Sequence, residues 1–241
     1  MRYAIIADIH SNLNAFEAVL RDIDDKGGFD ELWCLGDVVG YGPDPSECIA
    51  LLRQHPHICV AGNHDWAAIG KIDIADFNLH AAAACRWTGG RLSPDDVAYL
   101  ENLPLRLERG DFTIVHGSPR EPIWEYVLSA AAAEENFACF DTRYCLIGHS
   151  HVPAVFELSD NSCSIGELAS SLPLGENRLM INPGGVGQPR DGDRRAAYAI
   201  YDEGEQIIKH YRVEYDIADV QQRMMSLGLP QFLVERLGHG W

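Results

Sequence analysis

Five short polar motifs lie in order along this chain, each at the end of an apolar run. They are Asp8-Ile9-His10, Gly36-Asp37, Gly62-Asn63-His64-Asp65, His116-Gly117 and Gly148-His149-Ser150-His151. The runs before them are Tyr3 to Ala7, Trp33 to Leu35, Ile58 to Val60, Phe112 to Val115 and Cys145 to Ile147, each short enough for a buried strand. If those strands share a sheet region, their carboxyl ends bring the motifs to one edge, where α/β sheets hold ligands. Residues two apart on an extended segment point the same way, so Asp8 with His10, and His149 with His151, are expected to aim at one point.

Together the motifs supply two carboxylates, four histidines and one amide suited to two divalent metals, with a fifth histidine left over for proton transfer. Imidazole nitrogen with carboxylate and amide oxygen, and no thiolate, suits Mn, Fe, Zn, Ni or Co better than a closed structural zinc. Two metals about 3.5–4 Å apart can share a hydroxide, lower its pKa and neutralise charge building on phosphorus during an in-line displacement. An imidazole titrating near neutrality can protonate the departing oxygen, worth about 10²–10⁴-fold. Asp65 is placed to orient His64, or to serve as a helix cap or first-turn acid.

The order and spacing of these motifs resemble the calcineurin-like metallophosphoesterase superfamily, whose pattern is D-x-H, G-D, G-N-H-D/E, H and G-H-x-H. The likeness spans residues 8 to 151 and extends through Asn182-Pro183-Gly184-Gly185-Val186-Gly187 toward the final strands. It implies an α/β fold, a four-layer α-β-β-α sandwich of two facing mixed β-sheets flanked by helices, with the site at one end. It implies that Asp8, His10, Asp37 and His151 hold one metal and that Asp37, Asn63, His116 and His149 hold the other, with Asp37 bridging. His64 would stand beside the leaving group as general acid. Two divalent transition-metal ions are expected, Mn²⁺ foremost, with Fe, Zn, Ni or Co as alternatives.

Departures within the superfamily narrow the reaction. Its protein serine/threonine phosphatases carry an arginine soon after the second motif and another just before the third. The corresponding stretches here, Gly36 to Gly42 and Ala61 to Asp65, have neither. A phosphomonoester dianion calls for forked donors on its non-bridging oxygens, whereas a monoanionic diester needs less neutralisation. Gly40-Tyr41-Gly42-Pro43 and His116-Gly117-Ser118-Pro119-Arg120 are similar to the compact bacterial phosphodiesterase branch with its diadenosine-tetraphosphatase-like members. The expected activity is hydrolysis of a small nucleotide or other phosphodiester by attack of a metal-bridging hydroxide. A phosphomonoesterase or protein phosphatase of the same fold, a DNA nuclease and a non-catalytic metal-binding scaffold are the alternatives.

A net charge of −17 argues against a broad phosphate-backbone footprint and favours a small substrate over a polymer. Arg120, four residues past His116, and Arg190, in a Gly- and Pro-rich loop, are the candidate substrate contacts. Tyr41 and Trp124 are candidates to stack on a base or aryl group, with core packing the plainer reading. His55, His57, His80, His210 and His239 fall outside the motifs and read as fillers. Seven scattered cysteines read as free thiols in a reducing compartment. With no signal-peptide core and no run of about 18 apolar residues, a cytoplasmic protein without a membrane segment is expected. One domain over residues 1–241 is expected, since the motifs are spread over the first 151 residues.

Helices are expected at Leu13 to Ile23, Pro45 to Gln54 behind Asp44 as N-cap, Ala75 to Trp87, Ser93 to about Glu101, Ser129 to Phe140, Asp216 to Leu227 and Gln231 to Leu237. After Val152 the pattern turns to strands at Ala154 to Glu157, Leu179 to Ile181, Ala197 to Tyr201 and Gln206 to Val213, with Asp202 to Glu205 as a hairpin turn.

Overall fold

The computed structural model describes residues 1–159, 162–166 and 168–241. In chain order its elements are β1 (Arg2–Ile6), α1 (Leu13–Asp25), β2 (Glu31–Cys34), α2 (Pro45–Leu52), β3 (His57–Cys59), α3 (Asn63–Ala68), α4 (Leu79–Gly89) and α5 (Pro94–Glu101). There follow β4 (Arg106–Arg109), β5 (Phe112–Val115), α6 (Ala130–Phe137), β6 (Tyr144–Leu146), β7 (Ala154–Ser159), β8 (Ser162–Gly166), β9 (Ser171–Pro173) and β10 (Arg178–Asn182). The last four are β11 (Ala196–Asp202), β12 (Ile207–Val213), α7 (Ile217–Ser226) and α8 (Gln231–Leu237).

The strands form two six-stranded mixed sheets, ordered β3-β2-β1-β11-β12-β9 and β4-β5-β6-β10-β7-β8. In the first, β1, β2 and β3 are parallel, and β11 joins β1 antiparallel. In the second, β5, β6 and β10 are parallel, and β4 and β7 flank them antiparallel. The five strands that lead into the motifs are therefore divided between two sheets, three in one and two in the other.

Alternation along the strands explains the layering. Tyr3, Ile5 and Ala7 of the first sheet meet Phe112, Ile114, Tyr144 and Ile181 of the second in a core between the sheets. Trp33 sits there, fully buried, with Tyr3 at 4.3 Å and Phe112 at 5.4 Å between ring centroids. The intervening residues Ala4 and Ile6 face outward onto Phe16, Val19 and Ile23 of α1 and Ile49 of α2. On the outer side of the second sheet, Cys145, Phe156 and Met180 pack on Ala133 and Phe137 of α6. A separate apolar cluster joins α7 and α8 to α4 and to Tyr41.

Element ends differ from expectation where a local hydrogen bond decides. The third long helix starts at Leu79, not Ala75, because the Asn78 side chain accepts from the His80 and Ala81 amides. Asp44 holds the N-cap position of α2, but its carboxylate bonds Arg223 of α7 and caps nothing. Ser129 caps α6 and stands outside it, and that helix ends at Phe137. The turn after β11 is an Asx turn, with the Gly204 and Glu205 amides donating to Asp202. Three strands were not expected, β4, β8 and β9, all with largely exposed residues that carry little alternating signal.

Candidate metal centre

The motif loops are zipped to one another by main-chain bonds. Asp8 and His10 amides donate to the Gly36 and Asp37 carbonyls at 3.1 and 2.9 Å, and Gly148 donates to His116 at 2.7 Å. The turn at Asn182 to Gly187 clamps both sheets. Its Asn182 amide bonds the Gly148 carbonyl and Ser150 Oγ, while the Val186 and Gly187 amides reach Ala7 and Asp8. Those donors are spent on the fold and do not form a phosphate loop.

Extended alternation does not make the side chains converge. Eight non-glycine residues described by the structure have positive φ, and all but Gln206 lie in or beside the motifs: Asp8, His10, Ser11, Asp37, Tyr41, His149 and His151. Aspartate and histidine visit this left-handed region more readily than most residues, yet each such residue costs of order 1–3 kcal/mol. The chain curls past each strand end instead of continuing it. Glycines make room for the curl. A Cβ on Gly62 would overlap the Asp37 carboxylate and amide. We therefore expect Gly62→Ala to lose metal binding, read by metal analysis of protein that still folds by circular dichroism.

The result is a buried cluster in which every aspartate, asparagine and histidine of the motifs is at most 3% exposed. Asp8, His10 and His151 form one group whose ligand atoms lie within 4.8 Å of one another, and Asp37, His116 and His149 form another. Asp37 Oδ2 stands between them, 3.6 Å from His10 Nε2 and 3.4 Å from His116 Nε2. Asn63 Oδ1 lies 3.1 Å from His116 Nε2. His10, Asp37 and His64 make a third such group.

Four histidines share one arrangement. His10 Nδ1 faces the Val39 carbonyl, His116 Nδ1 faces Leu35, His151 Nδ1 faces Gln188 and His149 Nε2 faces Trp124. A carbonyl only accepts, so each of these nitrogens carries the proton and the opposite nitrogen of a neutral ring is a lone pair. Those lone pairs meet: His10 Nε2 and His151 Nε2 are 3.1 Å apart, as are His116 Nε2 and His149 Nδ1. Both Asp8 oxygens and Asp37 Oδ2 are buried with no hydrogen-bond donor among the described residues. Each uncompensated buried carboxylate costs on the order of several kcal/mol. Converging acceptors of this kind fit divalent cations, and carbonyl partners on the far nitrogens are the usual support for imidazole ligands.

Protons take part of that role when cations are absent. Burial raises Asp8 to about 7, partly offset by His116. Burial alone would lower His116, but the Asp37 carboxylate reverses the sign and holds it up at about 9. Burial pushes His10, His149 and His151 well below their ordinary value. A cation bound here would displace the His116 proton and, below about pH 7, one from Asp8 as well, so apparent metal affinity should rise most steeply with pH below about 7, less steeply up to about 9, and level off above that. Calorimetric titration in buffers of different ionisation enthalpy reads the protons released.

His64 sits apart in its bonding. Its amide donates to Asp37 Oδ1 at 2.8 Å, and its Nδ1 lies 3.3 Å from the buried Cys85 Sγ. Tyr41 and Phe77 pack on the ring at 4.2 and 4.9 Å. Burial lowers its pKa to about 4 despite the nearby Asp37 carboxylate, below the near-neutral titration expected from sequence. Asp65 does not orient it. As the first-turn acid of α3, Asp65 accepts from the Gly62, Asp37 and Val39 amides and ties two motif loops together.

The two candidate arginines separate. Arg120 is exposed, and its guanidinium bonds Glu125 and Glu135. Arg190 is held at the centre, with Nη2 3.4 Å from the Tyr41 hydroxyl and 3.3 Å from Gln188 Oε1. Trp124 meets Phe77 edge-on at 5.1 Å. Tyr126, 47% exposed, stacks on His149 at 3.9 Å between centroids. Cys85, Phe77 and Tyr126 were not singled out in the sequence, because they lie on a helix and two loops that carry no motif of their own.

A sandwich of two mixed sheets with an imidazole–carboxylate cluster at its strand ends defines a class of metallohydrolase. The calcineurin-like phosphoesterase superfamily domain matches residues 1–206, and the chain belongs to that superfamily. A metallophosphoesterase from Sphaerobacter thermophilus superposes with a TM-score of 0.89 at 47% identity, covering 100% of this chain and 99% of that one. An uncharacterized protein of Methanocaldococcus jannaschii is 40% identical over 97% of this chain and 96% of its own length. The symmetrical bis(5'-nucleosyl)-tetraphosphatase of Chromobacterium violaceum is 33% identical over 58% of this chain and 51% of its own length, so the chain spans about half of that relative. A putative diadenosine tetraphosphatase, at 17% identity and a TM-score of 0.54, shares the fold. The chain is a phosphoester hydrolase of this superfamily, whose members use divalent metal ions. No helix among the described residues is long and apolar enough to cross a membrane.

Proposed function

We propose that this chain is a two-metal phosphodiesterase acting on a small nucleotide or comparable diester. The observation that carries the reading is the pair of facing imidazole sets on either side of Asp37 Oδ2, with the Asp8 oxygens left without donors. Asp8, His10, Asp37 and His151 would hold one cation, and Asp37, Asn63, His116 and His149 the other. Bound there, two cations would supply an activated water and neutralise charge gathering on phosphorus. His64 stands beside that space as the proton donor. In the free protein burial keeps its ring neutral, and the negative charge of an arriving phosphate would raise its proton affinity.

Substrate size follows from access. All the proposed ligand side chains are nearly inaccessible, and α7 and α8 pack over the flank at Tyr41, so a phosphate on a flat macromolecular surface would not reach them. The engagement of Arg120 by two glutamates removes one candidate fork for a monoester dianion. The partial likeness to the symmetrical tetraphosphatase supports nucleotide substrates. Steady-state comparison of bis(p-nitrophenyl) phosphate with p-nitrophenyl phosphate under Mn²⁺ is the test. The diester should give the higher kcat/KM by about tenfold or more. Preference for the monoester would replace this reading with a phosphomonoesterase.

A further inference from the structure

Four histidines of the cluster turn their far nitrogen to a carbonyl, and His64 does not. Its Nδ1 lies 3.3 Å from Cys85 Sγ, and among the described residues its Nε2 has no hydrogen-bond partner. Gly40 lines the same edge of the ring, since a Cβ there would come 2.7 Å from His64 Nδ1 and 2.9 Å from His64 Cβ. A side chain at position 40 has no room, so the partner comes from another element, α4. That helix approaches α3 closely. One turn beyond Cys85, a Cβ on Gly89 would stand 2.3 Å from the Ala68 carbonyl oxygen at the end of α3. His64 lies in the first turn of α3, so the contact between these two helices sets the approach of Sγ to Nδ1. Cys85 is fully buried, and burial pushes its thiol well above the ordinary value, so the sulfur keeps its proton.

A carbonyl only accepts, which leaves the near nitrogen of each of the other four rings as a lone pair for a cation. A thiol donates or accepts. Toward a neutral ring it donates to Nδ1, so the single ring proton sits on Nε2. Toward a charged ring it turns and accepts from Nδ1, and Nε2 keeps its proton. We infer that Cys85 is a positioning residue that holds a proton on His64 Nε2, which makes this imidazole a donor and denies its lone pair to the metals. This explains how a fifth histidine, with a ring nitrogen within 4.8 Å of ligand atoms of His10 and Asp37, serves as an acid and not as a ligand. The inference rests on reading His64 as the proton donor of the Asp37 centre.

Nitrogen NMR of the full-length, zinc-loaded protein carrying ¹⁵N-histidine reads the tautomer directly, with His64 assigned by its disappearance in His64→Ala. The natural protein should show a protonated Nε2 and an unprotonated Nδ1. A protonated Nδ1 with an unprotonated Nε2 would overturn the inference. Cys85→Ala should lose the tautomer preference and about tenfold in kcat, with metal content and KM little changed. That loss should be larger for an alkyl than for a p-nitrophenyl leaving group, because only the donated proton is affected. Cys85→Ser, whose hydroxyl donates and accepts as the thiol does, should restore the tautomer and most of the rate. An equal loss with both leaving groups, or Cys85→Ser no better than Cys85→Ala, would reduce Cys85 to packing and overturn the inference. The tautomer readout needs no turnover. A protein inert toward diesters whose Nε2 proton depends on Cys85 loses the proposed activity and keeps the positioning, and an active diesterase with its proton on Nδ1 does the reverse.

Discussion

Asp37→Ala should bind less than one divalent ion per chain and fall to background hydrolysis. Oδ2 lies between His10 Nε2 and His116 Nε2, and Oδ1 accepts the His64 amide at the start of α3. Removing the carboxylate leaves Asp8 as the one buried acid facing four imidazoles, and two cations would then lack their shared anion. The lost charge stabilisation is several kcal/mol, so turnover should drop by roughly 10³-fold or more. Asp37→Asn separates the two roles. It keeps an acceptor for the His64 amide and should fold like the parent, yet still lose metal. Metal analysis with turnover on the same samples reads both; retention of two ions by either variant would remove Asp37 from its bridging position.

His64→Ala should do the opposite, keeping metal content near two per chain while kcat falls by about 10²–10⁴-fold. Its Nδ1 is engaged by Cys85, its ring is boxed by Tyr41, His10 and Phe77, and one of its nitrogens lies within 4.8 Å of ligand atoms of His10 and Asp37. Because a proton donor matters most when the departing oxygen is basic, the loss should be larger for an alkyl than for a p-nitrophenyl leaving group. His64 also falls within a possible ligand group with His10 and Asp37. Loss of metal from His64→Ala would therefore make it a ligand and leave the acid unassigned.

The fold was legible from strand-sized apolar runs, and the residues now found together were legible because each ends such a run. Division of the strands between two sheets was not, since a run such as Tyr3 to Ala7 reads the same in either sheet. The left-handed turns at Asp8, Asp37, His149 and His151 were hidden as well, because neither residue type demands positive φ as glycine does. Pairing partners were the hardest part. Arg120 and Arg190 look alike in sequence, and only the positions of Glu125 and Glu135 commit the first while leaving the second facing the centre. Cys85 beside His64 depends on how α4 docks, which follows from its apolar face and from no motif.

The central claim is that two cations, held on either side of Asp37, are required for diester hydrolysis. Metal-stripped protein titrated with Mn²⁺, with bound ions per chain and bis(p-nitrophenyl) phosphate turnover measured on each sample, tests it most directly. The account predicts turnover that rises with the second equivalent and levels off at two ions per chain. A plateau at one ion per chain, or two bound ions with no turnover of the diester, would contradict it.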